Sequence, residues 1–179
     1  MTTTDIINGR LLLEGGAYTD RPSDKGGPTR WGITIPVLSE FRKRLCTADD
    51  IKALTRDEAF EAIEHLFVIR SGFEKLTDER VRVLMIDWAL NSDIPRATRW
   101  LQRTLGVTVD GVFGPETLGA ANRHDGRLLL KQLGLQRQIF YVRTAIQDDR
   151  IPEGVVTSTN LENLEGWLNR NWKVAVDPL

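Results

Sequence analysis

An all-α fold is predicted for this chain on three observations. Apolar residues recur at helical spacing over most of its length. The pattern is clearest at Val81, Leu84, Met85, Trp88 and Ala89, which follow the i, i+3, i+4, i+7, i+8 stripe of a core helix. Segments marked in this way open at Thr or Pro and close at Gly, as helices do. No sustained strand alternation competes, although residues 107–112 are expected to pair briefly.

In chain order, a first helix is expected after Thr4 or Asp5, burying Ile6, Ile7, Leu11 and Leu13. It stops at Gly15-Gly16, because a left-handed C-terminal cap costs glycine no side-chain clash. Residues 33–45 read as a second helix, with Thr34 as cap and Pro36 in the first turn. Thr55-Arg56-Asp57-Glu58 is a capping box, followed by Ala59, Phe60, Ile63, Leu66 and Phe67 on a helical face. Thr77 precedes the core helix of residues 81–89. A helix from about Pro95 to Leu105 ends at Gly106. Asp110-Gly111 and Gly114-Pro115 then punctuate a loop, and Pro115 opens the next helix. Residues 128–146 are helical despite Gly134, residues 155–160 form a polar connection, and Leu161, Leu164, Leu168 and Trp172 make a last amphipathic stripe.

A chain of 179 residues holds one well-buried core, or one core with a small appended subdomain. The expected division is residues 1–91 and a small helical region at 92–179, packed into the same compact unit. With 41% apolar and 27% charged residues the composition is that of a soluble globular protein. A net charge of −1 excludes a dedicated nucleic-acid or anionic-membrane binder. Ile6-Ile7 and the run from Leu11 to Leu13 are too short to span a bilayer, so no stable membrane insertion is expected. The polar start lacks the basic residues of a secretory leader, and synthesis in the cytoplasm is expected.

Residue supply removes several chemistries. Cys46 stands alone, so an intrachain disulfide framework is excluded, and its reading is structural. With His65 and His124 as the only histidines, a zinc site of nitrogen and sulfur ligands lacks donors, and no metal or organic cofactor is implied. Glu61 and His65 share a helix face, but the paired Glu-x-x-His motifs of a di-iron bundle are missing. A Gly-x-Ser-x-Gly elbow and a phosphate loop are also absent.

The chemistry that remains lies between Glu14 and Thr34. Glu14 ends the first helix, where the negative pole of the helix dipole disfavours a charged carboxylate, and Tyr18 and Trp31 offer apolar surroundings. Both effects suit a general acid. Hydrolysis of a glycoside also needs a group that places water or stabilises an oxocarbenium-like transition state. Asp24 can activate that water and Thr29 orient it. Asp24 also fits an ordinary turn in Ser-Asp-Lys-Gly-Gly, and Asp20 competes for the same role. Asn91, at the end of the core helix, either lines a cleft floor or caps the helix. Trp88 is assigned to the core by its place in the stripe.

The run Glu14-Gly15-Gly16, Tyr18, Pro22, Asp24, Gly26-Gly27, Thr29 and Gly32-Ile33-Thr34 resembles the signature of glycoside hydrolase family 108. That family comprises N-acetylmuramidases of phages and bacteria, including lysozyme-like enzymes that aid toxin secretion. The resemblance continues collinearly through Ser71-Gly72-Phe73, Asp87 to Asn91, Leu101-Gln102, Asp110-Gly111, Gly114-Pro115 and Gly166-Trp167. Its Glu-Gly-Gly-Tyr glutamate, the expected general acid, falls on Glu14. Ala17 departs from the pattern by standing between the glycines and Tyr18. The separation from Glu14 to Thr29 equals that of the Glu…Asp/Cys…Thr pattern in many phage lysozymes. Residues 101–122 are similar to small helical peptidoglycan-binding modules with a Leu-Gln…Asp-Gly…Gly…Thr signature, a pattern that also serves as a purely structural helix–turn–helix.

The resemblance implies a lysozyme-like helical domain followed by a small helical C-terminal subdomain. It implies cleavage of the β-1,4 bond after N-acetylmuramic acid with Glu14 as acid, to which the reading of the residues adds Asp24 and Thr29 as helpers and Tyr18, Asp20, Trp31 and Asn91 toward the sugar. Peptidoglycan glycan strands are the expected partner. A monomer is expected, reaching the periplasm or wall through a phage holin or another export route. A lytic transglycosylase and a non-catalytic wall-binding or secretion-associated protein are the alternatives.

Overall fold

The computed structural model describes residues 2–20 and 27–146. Asp24 and Pro22, the polar connection at 155–160, Gly166-Trp167 and the stripe ending at Trp172 lie outside the described residues. The architecture is predominantly helical, as expected, and the chain divides into two compact units, Thr2–Glu74 and Lys75–Leu179.

The N-terminal unit opens with helix α1, Thr3–Glu14. Its cap lies earlier than expected because Thr2 and Asp5 form a reciprocal capping box, the Asp5 amide donating to Thr2 Oγ1 at 3.1 Å and the Thr2 amide to Asp5 Oδ2 at 2.7 Å. Ile6, Ile7 and Leu11 are buried, whereas Leu13 is 70% exposed because the helix phase turns it off that face. Gly15 closes the helix in the left-handed region with φ 68, its amide bonding the Leu11 carbonyl at 3.2 Å.

Two short antiparallel strands follow, β1 (Thr29–Arg30) and β2 (Ile33–Thr34), pairing Thr29 with Thr34 and Arg30 with Ile33. The sequence pattern predicted helix from residue 33; the helix starts at residue 35 instead. Helix α2 is Ile35–Arg42, α3 is Ala48–Ala53, and α4 is Arg56–Ile63 with Thr55 Oγ1 accepting the Glu58 amide. The apolar face of α4 continues through a π-helical turn at Glu64–Ile69, and a 3-10 turn at Phe73–Lys75 ends the unit. α1 packs on α4, and α2 on α3 and α4. Arg42 joins the last three helices through a two-pronged pair with Glu58 at 2.7 and 2.8 Å and a bond to Asp50 at 2.8 Å.

The C-terminal unit is built on α5, Glu79–Asn91, capped by Asp78 rather than Thr77 because the Asp78 carboxylate accepts the Arg80 and Val81 amides. Its residues from Val83 to Ala89 are buried on every side, the mark of a central helix. Helices α6 (Ile94–Leu105) and α8 (Gly126–Ile146) pack on it, and α7 (Pro115–Arg123) packs on α6 and α8. The division therefore precedes α5, whereas the sequence reading placed a boundary after it. Trp88 is fully buried and stacks on Trp100 at 6.1 Å, so it belongs to the core. Residues 107–112 form no strand; they are the turn that joins α6 to α7.

Candidate active site

The site is assembled where the end of α1 meets the β1–β2 turn. Pairing across two-residue strands leaves only Trp31 and Gly32 to reverse the chain, and a turn of the required hand needs positive φ at both. They adopt φ 55 and φ 74. For a bulky residue such as Trp31 this is an outlier that its surroundings must enforce. Gly16 supplies part of that enforcement: a Cβ placed on it would lie 2.4 Å from the Trp31 ring, so the indole lies directly against the glycine backbone. Gly16 itself has φ 67, so two independent reasons demand glycine there. The Trp31 Nε1–H is buried with no partner among the described residues, a further local cost.

Gly32 does for Glu14 what Gly16 does for Trp31. A Cβ on Gly32 would stand 3.0 Å from Glu14 Cγ and 3.2 Å from its carboxyl carbon, so the acid rests on the turn where a side chain is missing. Glu14 is the last residue of α1 and its side chain is 32% exposed. Among the described residues it pairs with Arg10, one helical turn earlier, whose Nη2 lies 2.9 Å from Oε1. The sequence reading gave Glu14 aromatic company and passed over this i, i+4 cation, which the helix period alone would have marked. Oε2 has no partner among the described residues.

Beyond the turn, Thr19 bridges Thr29 through two backbone bonds of 2.9 Å, extending the small sheet by one residue pair. Thr29 Oγ1 donates to the Gly27 carbonyl at 2.8 Å, which leaves its lone pairs as acceptors. Tyr18 and Asp20 flank Thr19 and share one face, the phenol donating to Asp20 Oδ2 at 3.3 Å. The Lys52 ammonium sits 5.5 Å over the Tyr18 ring. Tyr18 is held above the usual phenol range, first by lost hydration and then by the Asp20 charge. Arg30 ties these pieces together by donating from Nε to the Gly16 carbonyl at 2.9 Å and from Nη1 to the Lys52 carbonyl. This tether, like Arg10, was not among the residues singled out from sequence.

Glu14, Trp31 and the α1 cap are thus brought together on the N-terminal unit, with Tyr18, Asp20 and Thr29 on the segments leading into the same turn. Asn91 lies at the last position of α5 in the C-terminal unit, where its Nδ2 donates to the Asp87 carbonyl one turn back at 2.7 Å.

The Leu101-Gln102…Asp110-Gly111…Thr117 pattern has a direct structural account. Gln102 is 1% exposed and its amide nitrogen donates to Asp110 Oδ1, the Val112 carbonyl and Thr117 Oγ1 at 2.7, 3.1 and 3.1 Å. Its oxygen accepts the Gly111 amide at 2.9 Å, and Gly111 needs its φ of 83 to present that amide. One side chain organises the α6–α7 turn. A separate concavity of about 280 Å³ on the same unit has an apolar floor of Leu76, Val81 and Leu129 and a polar rim of Asp78, Asn122 and His124.

Residues 9–92 match the family model described as Glycosyl hydrolase 108, and residues 96–172 match the one described as Predicted Peptidoglycan domain. Among solved structures, that of Brucella abortus SagA is similar in fold, with a TM-score of 0.72, 24% sequence identity, and coverage of 96% of this chain and 94% of that one. No curated protein matches the chain. The first model spans Glu14 and the whole β1–β2 turn; the second spans the Gln102 network. The chain is a glycoside hydrolase whose residues 9–92 match the glycosyl hydrolase 108 model, and the peptidoglycan-domain match over residues 96–172 supports peptidoglycan as its substrate and the cell wall as its place of action.

Proposed function

We propose that the chain is an N-acetylmuramidase, hydrolysing the β-1,4 bond between N-acetylmuramic acid and N-acetylglucosamine, with Glu14 as proton donor. The observation that carries this reading is the seating of Glu14. Helix α1 ends on it, Gly32 gives it a bare surface to rest on, and Oε2 has no protein partner among the described residues.

In the proposed reaction the proton on Glu14 passes to the glycosidic oxygen as the bond from that oxygen to the anomeric carbon breaks. Water adds to the anomeric carbon and gives its proton to a second carboxylate, Asp24 or Asp20. Thr29, with acceptor capacity left after bonding Gly27, orients that water. Trp31 and Tyr18 present ring surfaces to the sugars. The expected setting is cell-wall lysis, the protein acting as a monomer after release through a holin or another export route.

The test is turnover of purified peptidoglycan by wild type and Glu14→Gln, followed as new reducing ends. Hydrolysis by wild type and its loss in the variant are expected. Equal rates would remove Glu14 from the mechanism, and anhydro products from wild type would show transglycosylation instead. Asp24→Asn and Asp20→Asn compared in parallel identify the second carboxylate, since only the group that takes the water's proton is needed for rate.

A further inference from the structure

The geometry points to Arg10 as a positioning residue for the proton donor, one that selects which carboxyl oxygen of Glu14 carries the transferable proton. The inference rests on the reading of Glu14 as the acid. Residues four apart on a helix lie over one another, and here the Arg10 guanidinium reaches Glu14 Oε1 at 2.9 Å. Gly32 also lies against this side chain, where a Cβ would crowd Cγ, the carboxyl carbon and Oε1. A free glutamate side chain at the end of a helix would sample several rotamers and lose entropy on reaching any single one. Contact with the guanidinium and with the glycine surface narrows that choice.

Arg10 is 21% exposed and Glu14 32%, so the pair is half-buried and the contact is less screened than one in open water. Guanidinium is a donor only and cannot take a proton from the acid. It therefore lies against a bare acceptor oxygen, and Oε1 is the oxygen it approaches. The proton is left to Oε2. When that proton moves to the glycosidic oxygen, the negative charge spreads over both carboxyl oxygens, and the guanidinium is already in place at one of them. No rearrangement is needed at the moment of bond breaking, which is the condition under which such a contact aids rate.

Arg10→Leu tests this against soluble peptidoglycan glycan fragments, beside wild type, Glu14→Gln and Arg10→Lys. The expected result is a fall in kcat of roughly ten- to a hundredfold with KM and melting temperature near wild type, as for a misplaced catalytic group. Arg10→Lys restores part of that loss, and so does millimolar guanidinium added to the Leu variant, a rescue that a merely structural role would not show. Should the Leu variant melt early, Arg10→Gln, which keeps the stem and the helix, gives the same comparison. Wild-type kcat in a folded Leu or Gln variant while Glu14→Gln is inactive overturns the role of Arg10 and leaves Glu14 standing. Full turnover by Glu14→Gln overturns both together.

Discussion

At the scale of single residues, the glycines around Glu14 separate into distinct jobs that a motif writes alike. Gly15 and Gly16 both adopt positive φ, 68 and 67, but a Cβ on Gly15 would meet nothing within 4 Å, whereas one on Gly16 would lie 2.4 Å from the Trp31 ring. Gly15→Ala therefore carries only the left-handed backbone penalty, about 1 kcal/mol. Gly16→Ala adds overpacking against the Trp31 ring, roughly 2–4 kcal/mol in all. Denaturant unfolding of the two variants should differ accordingly, and Gly16→Ala should also lose activity because it displaces the turn that seats Glu14. Equal midpoints would refute the contact. The sequence showed that glycine was needed here, because a helix was ending. It did not show the contacts with Trp31 and Glu14, which come from segments more than a dozen residues apart.

At the scale of elements, caps were legible and short elements were not. Thr55, Gly106 and the Asp110-Gly111 turn can be read locally, because each acts within three or four residues. The β1–β2 pair offers two residues per strand, too few for any alternation to register, and its turn is filled by Trp-Gly rather than the usual Asn-Gly. Helix α3 is six residues long and is held largely by its Thr47–Asp50 capping box and the charges around it.

Those charges give the N-terminal unit a pH dependence whose sign is set by its carboxylates. Asp50 is held below the usual carboxylate range by Arg44 first and then by the Thr47 amide, and Glu58 is lowered chiefly by Arg42. A carboxyl lowered in the folded state contributes stability that is present above its unfolded value, near 4, and lost as pH falls through the folded one. Thermal unfolding should therefore show stability falling from about pH 5 downward. Arg42→Gln should cost about 1–2 kcal/mol at neutral pH and flatten that acid decline. An unchanged slope would show that the Arg42–Glu58 pair is not its cause.

At the scale of the whole molecule, predominantly helical architecture was legible from the α5 stripe and from the spacing of starts and stops. The charged centre of the C-terminal unit was not. Asp87 on α5 and Arg137 on α8 are 6% and 0% exposed and pair at 2.5 Å, with Arg137 Nε donating to Tyr141 at 2.8 Å. A sequence read at helical period assigns such positions to solvent, since nothing local announces a partner fifty residues away. Removing one member leaves a buried charge without its counterpart, so Asp87→Asn or Arg137→Met should cost about 3–5 kcal/mol. Replacing both by apolar residues should recover most of that loss, because the desolvation of both charges is then avoided. Chemical denaturation of the two singles and the double checks this; a double variant no more stable than the singles would contradict it.

The two matched regions and the helical units describe a wall-directed glycoside hydrolase, and its central chemical claim rests on one carboxyl group. The most direct measurement is the rate of reducing-end release from purified peptidoglycan by wild type and Glu14→Gln at equal concentration of folded protein. The account predicts a loss of about 10²–10⁴-fold, the usual worth of a general acid, with the melting temperature nearly unchanged. Turnover by Glu14→Gln at the wild-type rate would contradict it.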